Sequence, residues 1–344
     1  MSATQSNISS NSSTDSKNLL VIDEEETSAE YGKYPSRRTV EDLLDYGFIT
    51  LDKPPAPTSH EVVAWIRRIL KVKRAGHSGT LDPMVTGLLP IGLGEATKAL
   101  SVLLMGPKEY FGIARFHSSV DDDILRNVFR EFIGEIYQKP PQRSSVRRTT
   151  RLRRIYELEI IETKGRLILF RVLCQAGTYV RKLIYDIGEV TMNGATMIEL
   201  RRSKVSDIEE KNGLVSLHDL ADAVFEWKEN GSEEKIRRLI QPVEKMVSSL
   251  KSIIIRDSAI ASICYGAQLA IPGILKLSPN IIKGDTVAIY SLKGELVAIA
   301  EAIMSTKEIE DADKGIAVKT KRVIMKQDTY PRLWKKKSQN AGVA

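Results

Sequence analysis

The spacing of apolar positions changes several times along the chain, and each change marks an element. FITLD (48–52) reads as a short strand, ended by Pro54, Pro55 and Pro57. Val62, Val63, Ile66, Ile69 and Leu70 then recur at helical spacing, with Thr58 and Ser59 placed to cap the helix start. Gly94 closes a further apolar strand, and EATKALSVLL (95–104) reads as a helix packed on the sheet. KEYFGIARFHSSV (108–120) alternates as a strand does. DDDILRNVFREFIG (121–134) has acids in its first turn, an apolar face and Gly134 as a stop, which makes it a helix. LILFRVLC (167–174) is a strand, Ala176-Gly177 a turn, and Thr178 the expected cap of a helix with Gly188 just past its end. That order puts Tyr179 and Arg181 in the first helical turn, at the end of the sheet. MIELRRSKVSDI (197–208) is another strand, and 209–250 is polar and helical with a break at Pro242.

After residue 250 the texture changes to short strands and glycine turns: SIIIR, QLAIPGIL, DTVAIYSL, ELVAIAEAIM and GIAVKTKRVIM. Such spacing predicts a small β-rich barrel or sandwich. At the other end, residues 1–17 are mostly Ser, Asn, Thr and Gln and cannot bury enough apolar surface to order themselves. The expected organisation is a flexible tail over 1–36, a first domain over 37–250, a second over 251–335 and a basic tail over 336–344.

At 344 residues, 42% of them hydrophobic, the chain has ample material for two cores. The net charge of +7 favours an acidic partner. Cys174 and Cys264 lie apart in apolar runs and read as reduced core residues. Four histidines without a Cys-x-x-Cys argue against a protein-built metal site. No apolar run is long enough for a transmembrane helix and no signal peptide is evident, so a soluble intracellular protein is expected.

The charge is concentrated. KPPQRSSVRRTTRLRRIY (139–156) contains Arg143, Arg147, Arg148, Arg151, Arg153 and Arg154 and no acid. Arg67, Arg68, Lys71, Lys73 and Arg74 precede a loop whose single acidic residue is Asp82. A charge run is usually a solvated face, but uncompensated clusters point to phosphate contact. Around Asp82 stand Gly76, Ser78, Gly79, Thr80 and Pro83, small or turn-forming residues that let a backbone approach a ligand. A lone carboxylate among cations stays ionised. It is a candidate nucleophile or base acting on a polyanion; the competing reading is a helix cap or a turn before Pro83. GLLPIGLGEATK lacks the spacing of a phosphate loop.

GHSGTLDPMVTGLLPIGLGEATK (76–98) resembles the signature of the TruB/dyskerin family of pseudouridine synthases. The likeness continues, in family order, through LDKPP and TSHEV (51–62), KEY (108–110), YQKPPQRSSVRR (137–148), GTYVRKLIYDIG (177–188) and ELRRSKV (199–205). KGDTVAIYS and KGIAVKTKRVIM resemble pieces of a PUA domain. Only 27 residues separate Tyr110 from Gln138, which favours the archaeal, RNA-guided branch over stand-alone bacterial relatives. Two departures stand out: Gly194-Ala195-Thr196 where many relatives have Gly-Ala-His, and Ser206-Asp207 where a glycine is usual.

The resemblance implies an α+β fold: a catalytic domain with a mixed, largely antiparallel β-sheet flanked by helices, followed by a C-terminal PUA pseudobarrel that binds RNA. It implies isomerisation of uridine to pseudouridine with no cofactor and no metal. Asp82 matches the catalytic aspartate and Arg181 the arginine paired with it. Tyr110 matches the aromatic stacked on the target base, and Tyr179 a tyrosine of the same pocket. Leu200 matches an apolar residue against the base, His77 a residue near the flipped nucleotide, and Lys53 a structural lysine. The implied partners are guide RNA, substrate rRNA or tRNA, and the small core proteins of the box H/ACA particle, in the cytoplasm of an archaeon. The alternatives are guide-free action on the T-loop uridine of tRNA and, from another class, a non-catalytic RNA-binding scaffold.

Overall fold

The computed structural model describes residues 18–139 and 149–332. Within them the chain forms two mixed sheets. The larger has ten strands, and its central order runs Gln241–Pro242, Gly47–Lys53, Thr86–Leu93, Ala195–Val205, Lys108–Phe116, Leu167–Cys174, Arg151–Lys164 and Gly134–Gln138. Every neighbouring pair is antiparallel except Thr86–Leu93 against Ala195–Val205, which runs parallel over Thr86↔Arg201 and Gly87↔Arg202. Gly87, at φ +96°, is required there, because a Cβ would overlap the Arg202 carbonyl. The α+β architecture with a largely antiparallel sheet is the one the resemblance implies.

Helix Ser59–Leu70 begins where the caps predict. Thr58 accepts from Glu61 N while the Glu61 side chain accepts from Thr58 N, a reciprocal capping box. It buries Val62, Val63, Ile66 and Leu70 against the sheet and leaves Arg67 and Arg68 exposed. Helix Asp122–Glu131 is capped by Asp121, which accepts from Asp123 N and Ile124 N.

Several local expectations are corrected. Residues 95–104 are not one helix: a 3-10 segment, Gly94–Ala99, precedes the α-helix Leu100–Met105. The tighter turn fits its backbone against Gly92, where a Cβ would lie 3.1 Å from the Ala96 carbonyl. The later helix spans Val180–Val190 with Tyr179, not Thr178, as N-cap. The Thr178 hydroxyl instead donates to Gln175 O at 2.8 Å and closes the turn. Gly188 lies inside that helix, where the backbone of Gly194-Ala195 crosses too closely for a side chain. Pro242 falls in a two-residue strand beside Gly47 and Phe48. Helix Asp257–Cys264 was not expected among the C-terminal strands.

The second sheet has seven strands, and its first is Leu20–Val21, paired with Ile274–Leu277. Over residues 18–36 this differs from the expected flexible tail. From residue 18 onward the segment lies on the C-terminal core: Thr27 and Ser28 donate to Asp257, Lys33 N donates to Glu295, and Tyr31 packs near Tyr330. Buried polar partners far away in sequence supply what its composition does not show. Residues 1–17 and 333–344, including both expected tail ends, lie outside the described residues.

Two apolar cores fill the sheets, one around Ile49, Leu89, Phe170 and Ile184, the other around Ile253, Ile289 and Val318. A third cluster joins the two halves, packing Phe48, Leu88 and Met246 against Ala288, Leu296 and Ile324. Cys174 and Cys264 are both free and buried, and burial pushes each thiol up to about 12. Among the described residues, no helix is long and apolar enough to cross a membrane.

Candidate active site

The loop between the short strand Ala75–His77 and the strand Thr86–Leu93 holds Asp82. Its flanks are pinned from below. Leu81 is buried, its N–H donates to Ser59 Oγ at 2.9 Å, and Ser59 Oγ donates back to Leu81 O at 3.3 Å. The Lys53 ammonium, completely buried, donates to Pro54 O at 2.9 Å, Pro83 O at 2.7 Å and Val85 O at 3.0 Å. Burial lowers its pKa. Val85 N donates to Asp82 O, so Asp82 does begin a turn, but its side chain does not cap it. The carboxylate instead points to Arg181, and the two form an ion pair.

Both members of that pair are about half exposed, 53% for Arg181 and 52% for Asp82, so a ligand can reach them. Arg181 occupies the first turn of helix Val180–Val190, where the backbone N–H groups disfavour a cation. Asp82 offsets that cost and orients the guanidinium. Tyr179, one step before the helix, is held through its backbone: its N–H donates to Gln138 Oε1 at 2.9 Å and its carbonyl accepts from Gln138 Nε2 at 3.2 Å.

Tyr110 lies in strand Lys108–Phe116, buried, opposite Arg202 in the neighbouring strand. Burial raises the phenol pKa and the adjacent Arg202 charge acts the other way. Leu200, also buried, stands opposite Gly112 on the same face as Tyr110 and Arg202. A groove of about 510 Å³ brings Leu200 together with Pro55, Met84, Thr86 and Phe111, residues that flank the Asp82 loop and the sheet.

His77 turns inward. Its Nδ1 accepts from Gly79 N at 3.2 Å, and its ring meets His60 edge-on at 5.0 Å. Burial, with His60 and Arg202 nearby, lowers its pKa to about 4, so it is neutral at pH 7.

Arg67, Arg68, Lys71, Lys73 and Arg74 form an exposed basic edge, with Arg74 also reaching Glu95 and Thr97. Arg154 is exposed and Arg151 partly so. Arg153 departs from a simple phosphate contact, since its guanidinium donates to Gly177 O at 3.1 Å and Leu152 O at 2.7 Å. Arg143, Arg147 and Arg148 lie outside the described residues. Among the described residues, no group of three or more His, Cys, Asp or Glu side chains is placed to hold a metal ion. Thr196 pairs with the His117 ring at 2.9 Å.

Three supporting residues escaped the sequence reading. Arg202, only 1% exposed, donates to Leu88 O at 2.8 Å and Gly79 O at 3.2 Å, tying the catalytic-loop candidate to the sheet beside Tyr110. Lys108 donates to three carbonyls, Leu103, Leu104 and Gly106, and burial brings its pKa down to about 8. Gln138 is buried against Tyr179. Strand parity carried the signal: Lys108, Tyr110 and Gly112 share one face, as do Leu200 and Arg202, which marks both cations as inward.

Comparison with known proteins gives a consistent picture. The sequence model of the TruB family pseudouridylate synthase N-terminal domain matches residues 67–180. That of the tRNA pseudouridylate synthase B C-terminal domain matches 181–248, a PUA domain 251–324, and a DKCLD (NUC011) domain 12–63. A protein of Methanocaldococcus jannaschii named probable tRNA pseudouridine synthase B is 49% identical over 323 residues, covering 94% of this chain and 96% of its own length. Its namesake from Pyrococcus abyssi is 51% identical over 316 residues, covering 92% and 95%. Among solved structures, an H/ACA RNP bound to a substrate RNA containing 2'-deoxyuridine has a chain 46% identical with a TM-score of 0.85, covering 92% of this chain and 97% of that one. A Cbf5-Nop10-Gar1 complex has one 48% identical with a TM-score of 0.86, at the same coverages.

Proposed function

The chain belongs to the TruB family of pseudouridylate synthases, and from that premise we propose that Asp82 is its catalytic carboxylate and that it acts on uridines selected by a guide RNA. The carrying observation is the solvent-open ion pair of Asp82 and Arg181 on a loop pinned by Lys53 and Ser59. Converting uridine to pseudouridine breaks the bond between N1 and the ribose C1' and forms one from C5 to C1'. The C5 proton leaves and N1 gains one, so no redox step is involved. An ionised carboxylate can attack C1' or first take a proton from the sugar. Arg181 pairs with Asp82 and aims it. Tyr110 stacks on the uracil, Leu200 lies against its other side, and Tyr110 or Tyr179 helps carry away the C5 proton. His77 packs near the extruded nucleotide and Lys53 holds the loop. Extruding the base costs a few kcal/mol, which a stacking pocket offsets.

The basic edge at Arg67–Arg74, the segment from Arg151 to Arg154 and the PUA domain form the RNA-binding surfaces. Support for guided action on rRNA comes from the structural neighbours described as H/ACA RNP and Cbf5-Nop10-Gar1 complexes. By that likeness the partners are guide RNA, substrate RNA and small proteins of the Nop10 and Gar1 kinds, and the setting is the cytoplasm of an archaeon. The competing reading, guide-free action on the T-loop uridine of tRNA, is favoured by relatives named tRNA pseudouridine synthase B.

One experiment separates them. Purified protein with Nop10- and Gar1-type partners is incubated with an unmodified tRNA transcript or an rRNA fragment, each with and without guide RNA. Guided action predicts pseudouridine in rRNA only when guide is present; T-loop modification without guide, together with no guide-dependent product in rRNA, overturns it. Asp82→Asn is expected to abolish product in every arm while RNA binding persists. Residual turnover by that variant removes Asp82 from the mechanism.

A further inference from the structure

We infer that Gln138 is a positioning residue for the reaction, a side-chain clamp that fixes Tyr179 and, through it, Arg181; the inference rests on the roles proposed above for those two residues. Gln138 is 2% exposed and ends the strand Gly134–Gln138. Its amide makes a two-point contact with one residue: Oε1 accepts from Tyr179 N at 2.9 Å, and Nε2 donates to Tyr179 O at 3.2 Å. A side-chain amide thus pairs with a backbone residue as a neighbouring strand would.

That residue needs such help. Tyr179 is the N-cap of helix Val180–Val190 and supplies no side-chain cap. An N-terminal turn without a cap is free to fray, because its first N–H groups lack partners within the helix. Two residues further on, Arg181 reaches across to Asp82. A small shift of the Tyr179 backbone therefore moves both the Tyr179 ring and the guanidinium that orients the carboxylate.

The surroundings confirm that the grip is directed at this turn. Arg153 Nε donates to Gly177 O at 3.1 Å, Arg154 N donates to Gln175 Oε1 at 3.1 Å, and Gln175 N donates to Arg154 O at 2.8 Å. The paired strands Gly134–Gln138 and Arg151–Lys164 thus hold 175–179 from one side, with Gln138 touching the residue nearest the site. Angular precision of about 10–20° is what a catalytic constellation requires, and supporting hydrogen bonds supply it.

The test uses two substitutions in the full-length protein. Gln138→Leu removes both hydrogen bonds. Gln138→Glu keeps the shape, and its two states differ: the protonated acid still offers one acceptor and one donor, whereas the carboxylate sets a negative oxygen against the Tyr179 carbonyl. Burial raises the pKa of such a carboxyl while the helix N-terminus and Arg153 lower it, and the pH profile of the variant locates the change of state. Single-turnover pseudouridine formation and RNA affinity are measured from pH 5.5 to 8.5, at a temperature where melting curves show each variant folded.

For Gln138→Leu we expect the single-turnover rate to fall at least tenfold with RNA affinity within threefold of wild type. For Gln138→Glu we expect near wild-type rates at the acid end and a progressive relative loss as pH rises. A wild-type rate in Gln138→Leu, or a rate ratio for Gln138→Glu that is flat with pH, overturns the clamp. A wild-type protein that makes no pseudouridine with any RNA would instead overturn the functional reading, which is a separate outcome.

Discussion

The loop that presents Asp82 and the arm that straps the C-terminal domain are both held by buried charges, cations at the loop and charges of both signs at the arm. Around the loop, cations gather carbonyls: Lys53 takes Pro54, Pro83 and Val85, Lys108 takes Leu103, Leu104 and Gly106, and Arg202 takes Leu88 and Gly79. Around the arm, Lys293 also takes two carbonyls, those of Tyr31 and Gly32, but most of the contacts are carboxylates gathering donors. Asp257 accepts from Thr27 and Ser28, Glu295 from Lys33 N, Ser291 and Tyr330, and Glu244 from Arg38 and Leu296 N. The difference follows from what each region must face. A loop that meets a polyanion keeps a positive interior, whereas an arm that only has to stay down can be fastened with groups of either sign.

Removing a cation from the loop carries the largest expected effect. Lys53→Met keeps the stem but leaves three carbonyls without their donor, so a loss of about 3–5 kcal/mol is expected. Calorimetry should show melting lowered by roughly 10 °C, and amide exchange should quicken in 81–86. If exchange quickens no more there than elsewhere, Lys53 is not what holds the loop.

Histidine 77 gives a smaller, pH-dependent effect in the same region. Its folded pKa of about 4 lies below the ordinary value near 6.5. The unfolded chain therefore takes up the proton first as pH falls. The stabilisation is complete above pH 6.5 and is lost between 6.5 and 4, by at most about 3 kcal/mol. Protonation also removes the Nδ1 acceptor used by Gly79 N. Denaturant titrations across that window should show the slope in wild type and a shallower one in His77→Gln. Equal slopes would mean that His77 is not the group responsible.

The two regions also differ in how much of each is legible in the sequence. Helix Ser59–Leu70 was readable because its cap and its apolar stripe are local signals. Asp82 stood out as one acid among cations, and its link to Arg181, 99 residues away, came from ordered motif blocks rather than from periodicity. The clamp at Gln138 was not legible, because a glutamine next to Lys139 and Pro140 carries no mark of burial. Arg202 carries no local mark in ELRRSKV beyond strand alternation, which separates it from Arg201, whose guanidinium reaches Asp52 and Glu210 at the surface. The arm is hidden for a related reason. Its acids and small polar residues look like tail until Asp257, Glu295 and Ile274–Leu277 are brought beside them, and only the tertiary fold does that.

The mildest probe bears on the arm itself. Glu295 is 5% exposed and accepts from Lys33 N at 2.9 Å, Ser291 Oγ at 3.0 Å and Tyr330 Oη at 2.7 Å. Gly32, at φ +68°, brings the arm so near that a Cβ would overlap Tyr330 and Glu295. Glu295→Gln preserves volume but turns one acceptor oxygen into an NH2 group facing donors. One of the three bonds is lost and another weakened, for about 2 kcal/mol. The arm should then be cut faster by protease within 20–38. The chemical step in single turnover should hold its wild-type rate, since Glu295 contacts none of the residues around Asp82. An arm as resistant as wild type would show that the Leu20–Val21 strand and Asp257 suffice to hold it. A slowed chemical step would show instead that the two regions are coupled through the shared core at Phe48, Leu88 and Leu296.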